Sequence, residues 1–408
     1  MEERAVITYE IAKYKFDATI DTMPTFNESY DLDCISVYDS DNGDGTITRT
    51  LRGLKPTSII FAGCTGLLEV TMITIDGREY SELFKNCNNL TYVNMNNWID
   101  NGVTHTGYMF YNCSSLRTID MENWDKTNLS NITSMFSGCS SLTTIKGVEN
   151  LIGPKVQIGD YIFYNCSSLT EIDVSGWDVS NVVYGYSVFA GCSSLTELDL
   201  SNWDISKFNS LREMFNDCTN LRNVFMLNWN SSNCTSTYRA FYKCKNIKLL
   251  DFSNWDFKLV TSMNGMINGC TSLETIIFNN IDLRNVDVTY QLSTSSLPLL
   301  KNVIVKNSTA ANINKLIELL PRGNSAINCK IYLPITQDMS NINVAAANAK
   351  GWKVTQGGIV YNVSKVLIED TEILGLKSTK IARLKRGEFI NDTIKKTVVG
   401  EVPNITYK

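Results

Sequence analysis

Cys64, Cys87, Cys113, Cys139, Cys166, Cys192, Cys218, Cys244 and Cys270 are separated by 23, 26, 26, 27, 26, 26, 26 and 26 residues. Recurrence at a fixed period of this length restricts the chain to architectures in which one supersecondary unit is repeated and stacked. The rest of the period agrees. Phe stands three residues before the Cys in eight copies, from Phe61 to Phe241, and Ile267 takes that place in the ninth. Three after the Cys comes Leu in eight copies and Ile247 in the other, and six after comes Val, Ile or Leu in all nine. Trp98, Trp124, Trp177, Trp203, Trp229 and Trp255 stand eleven after it.

The copy running from Leu195 through Leu198 and Leu200 to Trp203 reads L-x-x-L-x-L-x-x-W. This resembles a leucine-rich-repeat core with Trp where Asn or Cys usually stands. Residues six and eight after each Cys lie two apart, so in a strand they share a face. They are expected to point inward, with residues five, seven and nine facing solvent on a concave side. The stretch before the Cys, such as Ser134 to Cys139, is expected to make a short helical turn that drops Phe and Cys into the core. One unit cannot bury such faces alone, so stability must come from stacked neighbours, with parallel strands about 4.8 Å apart. The Trp column is expected to pack between coils.

A Cys that occurs once per coil stacks as a ladder of small buried side chains, and a continuous ladder has no reason to pair off. Free thiols fit folding in a reducing cytosol. Cys34, Cys234 and Cys329 fall outside the ladder and are expected as ordinary core residues. The expected fold class is therefore α/β: a leucine-rich-repeat solenoid of about nine to ten 26-residue coils with small β modules at both ends.

Two features break the cadence. The copy at Cys139 has Gly147 at an inward position, Asn150 in place of Trp, and extra residues around Gly153 and Pro154. That should loosen or bulge the stack locally. Beyond Cys270, Leu300, Val303 and Val305 fit one more strand. A helix from Thr309 to Leu320 then stops at Pro321, followed by a strand Cys329–Leu333, a helix Asn341–Lys350 and a strand in Gly351–Val354. Terminal repeats are commonly atypical because they close an open core. The divisions expected are an N-terminal β cap over 1–57, the solenoid over 58–305, an α/β cap over 306–356, and a small β module over 357–408.

Catalytic chemistry finds little support. Net charge is −5 without long charge runs, which gives no footprint for nucleic acid, and no apolar run approaches the roughly 20 residues of a membrane span. Asp39 to Gly45 superficially resembles a calcium loop, but Thr50 stands where an EF-hand needs a bidentate Glu, and a β-hairpin turn fits better. His105 is the one histidine and sits beside Thr104 and Thr106, so a Ser–His pair and a zinc site both lack partners. Glu171 with Asp173 recurs as a surface column rather than as a unique acid–base pair. No cofactor and no enzymatic activity are expected.

The concave surface is what remains. Its outward positions include Asp173, Glu197 and Asp199 on earlier coils, then Phe225 and Leu227, Leu249, and Ile277 on later ones. These seven residues are the candidate partner-binding site, an apolar patch beside an acidic strip. Such a patch marks an interaction site when exposed, and is equally explained by capping elements or a second subunit lying over it. Lys377, Lys380, Arg383, Lys385 and Arg386 form a basic segment that suits a solvated strand face or an acidic neighbour.

Written out, Met135 to Leu142 and Leu198 to Asp204 resemble the BspA-like leucine-rich-repeat family, whose copies are similar to MFxxCxSLxxLDLSNWDTSNVT. The resemblance covers about residues 58 to 305, and Ala345 to Val354 is similar to the way such arrays finish. The family includes bacterial surface adhesins, mycoplasma lipoproteins, and virion proteins of phages and prophages. The resemblance thus implies adhesion or recognition. Such adhesins usually carry a signal peptide and an anchor, and the sequence shows neither. The stretches Met23 to Asn27 and Asp41 to Arg49 look like the opening of phage and prophage repeat proteins, and Lys365 to Leu374 is similar to short β repeats of tail proteins. The expectation is a virion protein of a phage tail or fibre, assembled in the host cytoplasm. It would bind other virion proteins or a host-surface protein or glycan, and could form homo-oligomers. A bacterial cell-surface adhesin is the alternative.

Overall fold

The computed structural model describes residues 9–20, 24–26, 36–53, 59–73, 78–96, 98, 102–287, 292–294 and 297–357. The expected β module from 357 onward, its basic segment and Cys34 lie outside the described residues, apart from Gly357.

The chain opens with β1 (Tyr9–Asp17), β2 (Thr25–Phe26), β3 (Ser36–Asp41), β4 (Thr46–Gly53) and β5 (Ile59–Ile60). β3 and β4 form an antiparallel hairpin whose turn places Gly43 and Gly45 at φ 73° and 80°, the left-handed region glycine tolerates. The calcium-like segment is thus a hairpin turn. In β1, Ala12, Tyr14 and Phe16 are buried and alternate with Lys13 and Lys15, the period-2 pattern of a strand with one covered face. β1 pairs antiparallel with β4 on one side and with β6 (Leu67–Ile73) on the other, so the N-terminal module runs directly into the solenoid sheet. Tyr14 meets Phe61 edge-on at 5.0 Å and closes the end of the core.

The chain then winds into a β-solenoid of about ten stacked coils with few helices. β7 (Tyr92–Asn94), β8 (Thr118–Asp120) and β9 (Thr144–Lys146) continue the sheet of β6 in parallel. β10 (Glu197–Asp199) pairs with β11 (Asn223–Phe225). β12 (Leu249–Phe252), β13 (Thr275–Phe278) and β14 (Asn302–Val305) lead into the terminal elements α1 (Ala310–Leu319), β15 (Lys330–Leu333), α2 (Val344–Ala349) and β16 (Lys353–Gln356). β12 to β16 form one parallel sheet, so the last strands extend the stack. Leu198 pairs with Val224, Leu250 with Ile276 and Ile276 with Val303, which keeps the residue six after each Cys in register.

Three columns fill the core. The Phe rings of successive coils stack face to face: Phe84–Phe110 at 5.4 Å, Phe110–Phe136 at 5.6 Å and Phe136–Phe163 at 5.4 Å, with interplanar angles of 8°, 4° and 4°. The Trp column packs between coils as expected, with Trp177–Trp203 at 5.7 Å and Trp229–Trp255 at 5.5 Å. Trp203 and Trp229 donate their ring N–H groups to the carbonyls of Val174 and Leu200 in the preceding coil, at 3.3 and 3.0 Å. The cysteines form the third column, and those from Cys87 to Cys270 are free thiols.

The expected helical turn before each Cys is instead a run of tight turns. Ser187, Phe189 and Gly191 donate their backbone N–H groups to Arg212, Met214 and Asn216 of the next coil, at 3.1, 3.0 and 2.7 Å. Ala190 and Cys192 close turns onto Ser187 and Phe189 within the coil. The residues five and one before the Cys are left-handed in coil after coil, as at Tyr108 and Asn112, Ser134 and Gly138, or Arg239 and Lys243. A helix would direct every N–H along its own axis. This run shares them alternately between its own turns and the neighbouring coil.

The irregular copy interrupts the sheet where its sequence differs. Gly147 is left-handed at φ 75°, a 3-10 turn follows at Val148–Asn150, and Glu171 to Asp173 in the next coil form no strand. The Phe and Cys columns continue through the break. At the far end α1 starts at Thr309, whose side chain accepts the N–H of Asn312, and stops at Leu320 before Pro321. It buries Ile313, Leu316, Ile317 and Leu319. Trp352 is buried and donates to Pro321 O at 2.9 Å.

Candidate functional site

The strands place five of the seven candidate residues in rows across the outward sheet face, and Asp173 and Leu227 lie outside the strands. One row holds Asp199, Phe225, Asp251, Ile277, Ile304 and Tyr332, with Asp199 paired to Phe225, Ile277 to Asp251 and Ile304, and Ile304 to Tyr332. The neighbouring row holds Glu197, Asn223, Leu249 and Thr275. Alternation puts Leu198 and Leu200 into the core, as the pattern requires.

Two of the seven are not exposed. Phe225 is 4% exposed and Ile277 0%. Both stand outside the continuous core, as does Ile304, so they form a second apolar seam on the opposite face of the sheet. Thr275 and Asn302 on the same face are buried as well, and Asn302 donates to Thr275 Oγ1 at 3.2 Å. Lys306 reaches back two coils to donate to Ser253 Oγ at 3.0 Å. The expectation of an open patch at Phe225 and Ile277 is therefore corrected: their side is the predicted one, but it is covered. Leu227 and Leu249 are half-buried.

The acidic members have local work. Asp199 accepts the backbone N–H of Ser201 at 3.0 Å, and Asp173 accepts both the N–H and the hydroxyl of Ser175, at 3.0 and 2.6 Å. Asp251 does the same for Ser253 N–H at 2.8 Å. Where Asp stands seven after the Cys in these coils it forms an Asx turn, which accounts for its repetition without a ligand. Glu197 is half-buried beside Asn223 in its row.

Cys192 donates its thiol to Phe163 O at 3.1 Å, Cys218 to Phe189 O at 3.0 Å and Cys244 to Phe215 O at 3.1 Å. Burial pushes the Cys192 thiol up to about 12, far from a nucleophilic thiolate at neutral pH. His105 lies in a column of isolated parallel bridges between Glu79 and Asn131, with Nδ1 2.9 Å from Glu79 Oε1. Among the described residues no group of three His, Cys, Asp or Glu side chains is placed to hold a metal ion, and no helix is long and apolar enough to cross a membrane.

A second surface escaped the sequence reasoning. The tight-turn face carries exposed Tyr108, Tyr161 and Tyr164, and exposed Tyr184 stands in the bridge column that leads into it. Farther along, Arg212, Arg239 and Lys243 lie over the rings of Tyr238 and Tyr242. The available signal was that the residues six, five, two and one before the Cys vary between copies while the aromatic three before it hardly does.

Constant core columns with variable rows on two faces define a repeat solenoid, a class that presents an extended binding surface. The sequence model of the family described as "Mycoplasma protein of unknown function, DUF285" matches residues 78–197, 144–250 and 235–297. These matches together span 78–297, 220 of the 408 residues, and the chain belongs to this family. No curated protein and no solved structure was found to match it.

Proposed function

We propose that the chain is a non-enzymatic recognition protein, carried on a phage tail or fibre, that binds a host surface or a neighbouring structural protein through its solenoid. One observation carries the recognition part. The inward residues hardly change between coils, whereas the partly exposed outward row runs from Glu197 to Asn223 and Leu249 on the same backbone. Side chains that vary on an invariant frame serve contact with something outside the frame. The virion assignment rests on the likeness of the flanking segments to phage repeat proteins. A bacterial cell-surface adhesin of the BspA-like type is the second reading, favoured by the mycoplasma origin in the family's description.

Mass spectrometry of purified phage particles and of cell envelopes, from a culture that expresses the chain, separates the two. The expected result is the chain at fixed stoichiometry in tail-bearing particles. Its presence in the envelope fraction alone would replace this reading with the adhesin. For the surface itself, Leu249→Glu places a charge on the outward face. It should weaken binding to host cells or to the tail partner by about 1–3 kcal/mol, with the urea midpoint unchanged.

A further inference from the structure

We infer that the tight-turn face around Arg212, Tyr238, Arg239, Tyr242 and Lys243 binds an acidic polysaccharide. This surface lies apart from the sheet face invoked above. The five side chains alternate cation and ring. The Arg212 guanidinium carbon is 4.9 Å from the Tyr238 ring centre, Arg239 is 5.0 Å from Tyr238 and 4.8 Å from Tyr242, and the Lys243 ammonium is 5.0 Å from Tyr242. A guanidinium stacked on aromatic faces is held in one plane while its in-plane N–H donors stay available for a carboxylate or sulfate.

The local charge is unusual for this chain. Residues 205–250 carry seven Lys or Arg against Glu213 and Asp217, in a protein of net charge −5. The two acids engage only loosely, Glu213 at 3.9 Å from Arg212 and Asp217 at 3.4 Å from Lys243. Among the described residues no carboxylate forms an ion pair with Arg239. The following coil places Gly265 and Gly269 beside this cluster, where an added Cβ would come within 3.5 Å of Arg239 Cγ and 3.1 Å of Lys243 Cγ. Their missing side chains leave a ledge along the two cations.

The line of the surface selects the ligand. Successive coils rise by about 4.8 Å, so Arg212 lies one rise before Arg239 and Lys243, which share a coil, and exposed Tyr161 stands at the Arg239 position three coils earlier. A polymer of sugar rings that carries acids matches alternating ring faces and cations along one line. An acidic peptide would use the charges and leave the rings idle.

Calorimetric titration of the full chain with polygalacturonate oligomers tests this, with neutral dextran oligomers, polyglutamate and phosphatidylserine vesicles as comparisons. The expected result is saturable binding of polygalacturonate, weakened tenfold or more by Arg239→Gln and several-fold by Arg239→Lys, which keeps the charge and loses the planar fork. Tyr242→Ser should weaken it comparably, and Lys155→Gln, elsewhere on the surface, should leave it unchanged. Circular dichroism confirms that each variant is folded. Absence of polygalacturonate binding, equal affinity in folded Arg239→Gln, or equal affinity for polyglutamate or for the vesicles would each overturn the inference.

Discussion

Each ladder cysteine from Cys87 to Cys270 is held by the coil before it. Phe163 O accepts the Cys166 backbone N–H at 3.0 Å and the Cys192 thiol at 3.1 Å, so both lone pairs of one carbonyl tie successive coils. The period made the buried ladder legible, but not its acceptor, because the turn geometry that aims the carbonyl leaves no residue signature. Burial raises the thiols, Cys192 to about 12 from an ordinary 9.0. Between those values the unfolded chain has released protons that the folded chain retains, so stability is full below about pH 9 and falls as pH rises toward 12. The melting temperature should therefore be flat from pH 7 to 8.5 and drop steeply above 9.5; a flat profile to pH 11 would contradict the burial of the ladder. At pH 8 the native protein should react with few equivalents of a thiol reagent and the denatured protein with nearly all twelve. Phe225 shows the opposite limit of sequence reasoning. Alternation assigns its side of the strand, but exposure depends on what lies over that side, and contacts such as Lys306 with Ser253 join residues two coils apart. Phe225→Ala should consequently destabilise by about 3 kcal/mol, in the range expected for the core residue Phe252.

At the scale of elements, strands of three or four residues are too short to hold a stack alone, and the turn run supplies the continuity. The sheet breaks between β9 and β10, yet Phe136 N–H still reaches Ile162 O at 3.0 Å and Phe163 N–H reaches Val188 O at 2.9 Å. The break itself was legible from Gly147 and the insertion near Pro154. The turn type was not, since the left-handed positions carry Ser, Tyr, Glu and Arg as readily as Gly. Gly147 is required on two counts, its positive φ and a backbone so near that an added Cβ would lie 2.6 Å from Glu122 Cα. Gly147→Ala should destabilise by roughly 1–3 kcal/mol. Gly153→Ala, where an added Cβ meets nothing within 4 Å, should be close to neutral. Urea unfolding of the pair checks this, and equal midpoints would show that the backbone at Gly147 adapts.

Across the whole molecule the core is one column closed at both ends, by Tyr14 and Phe16 of β1 at one and by α1, α2 and Trp352 at the other. Solenoid coils, strand register and terminal elements were legible because period and capping residues are local signals. The binding faces were only partly so, because variable positions announce a surface without saying which parts are covered. The 26-residue coil is the unit of the fold, held chiefly by its immediate neighbours. Deleting residues 193–218 removes one coil and brings Cys244 under Phe189, whose carbonyl can take the place of Phe215 O, while deleting 193–205 removes half a coil and misaligns every column beyond it. Far-UV circular dichroism with urea unfolding of the two variants is the direct measurement. The 26-residue deletion is expected to fold cooperatively with a modestly lower midpoint and the 13-residue deletion is not; loss of folding in both would rule out the coil as the unit of the fold.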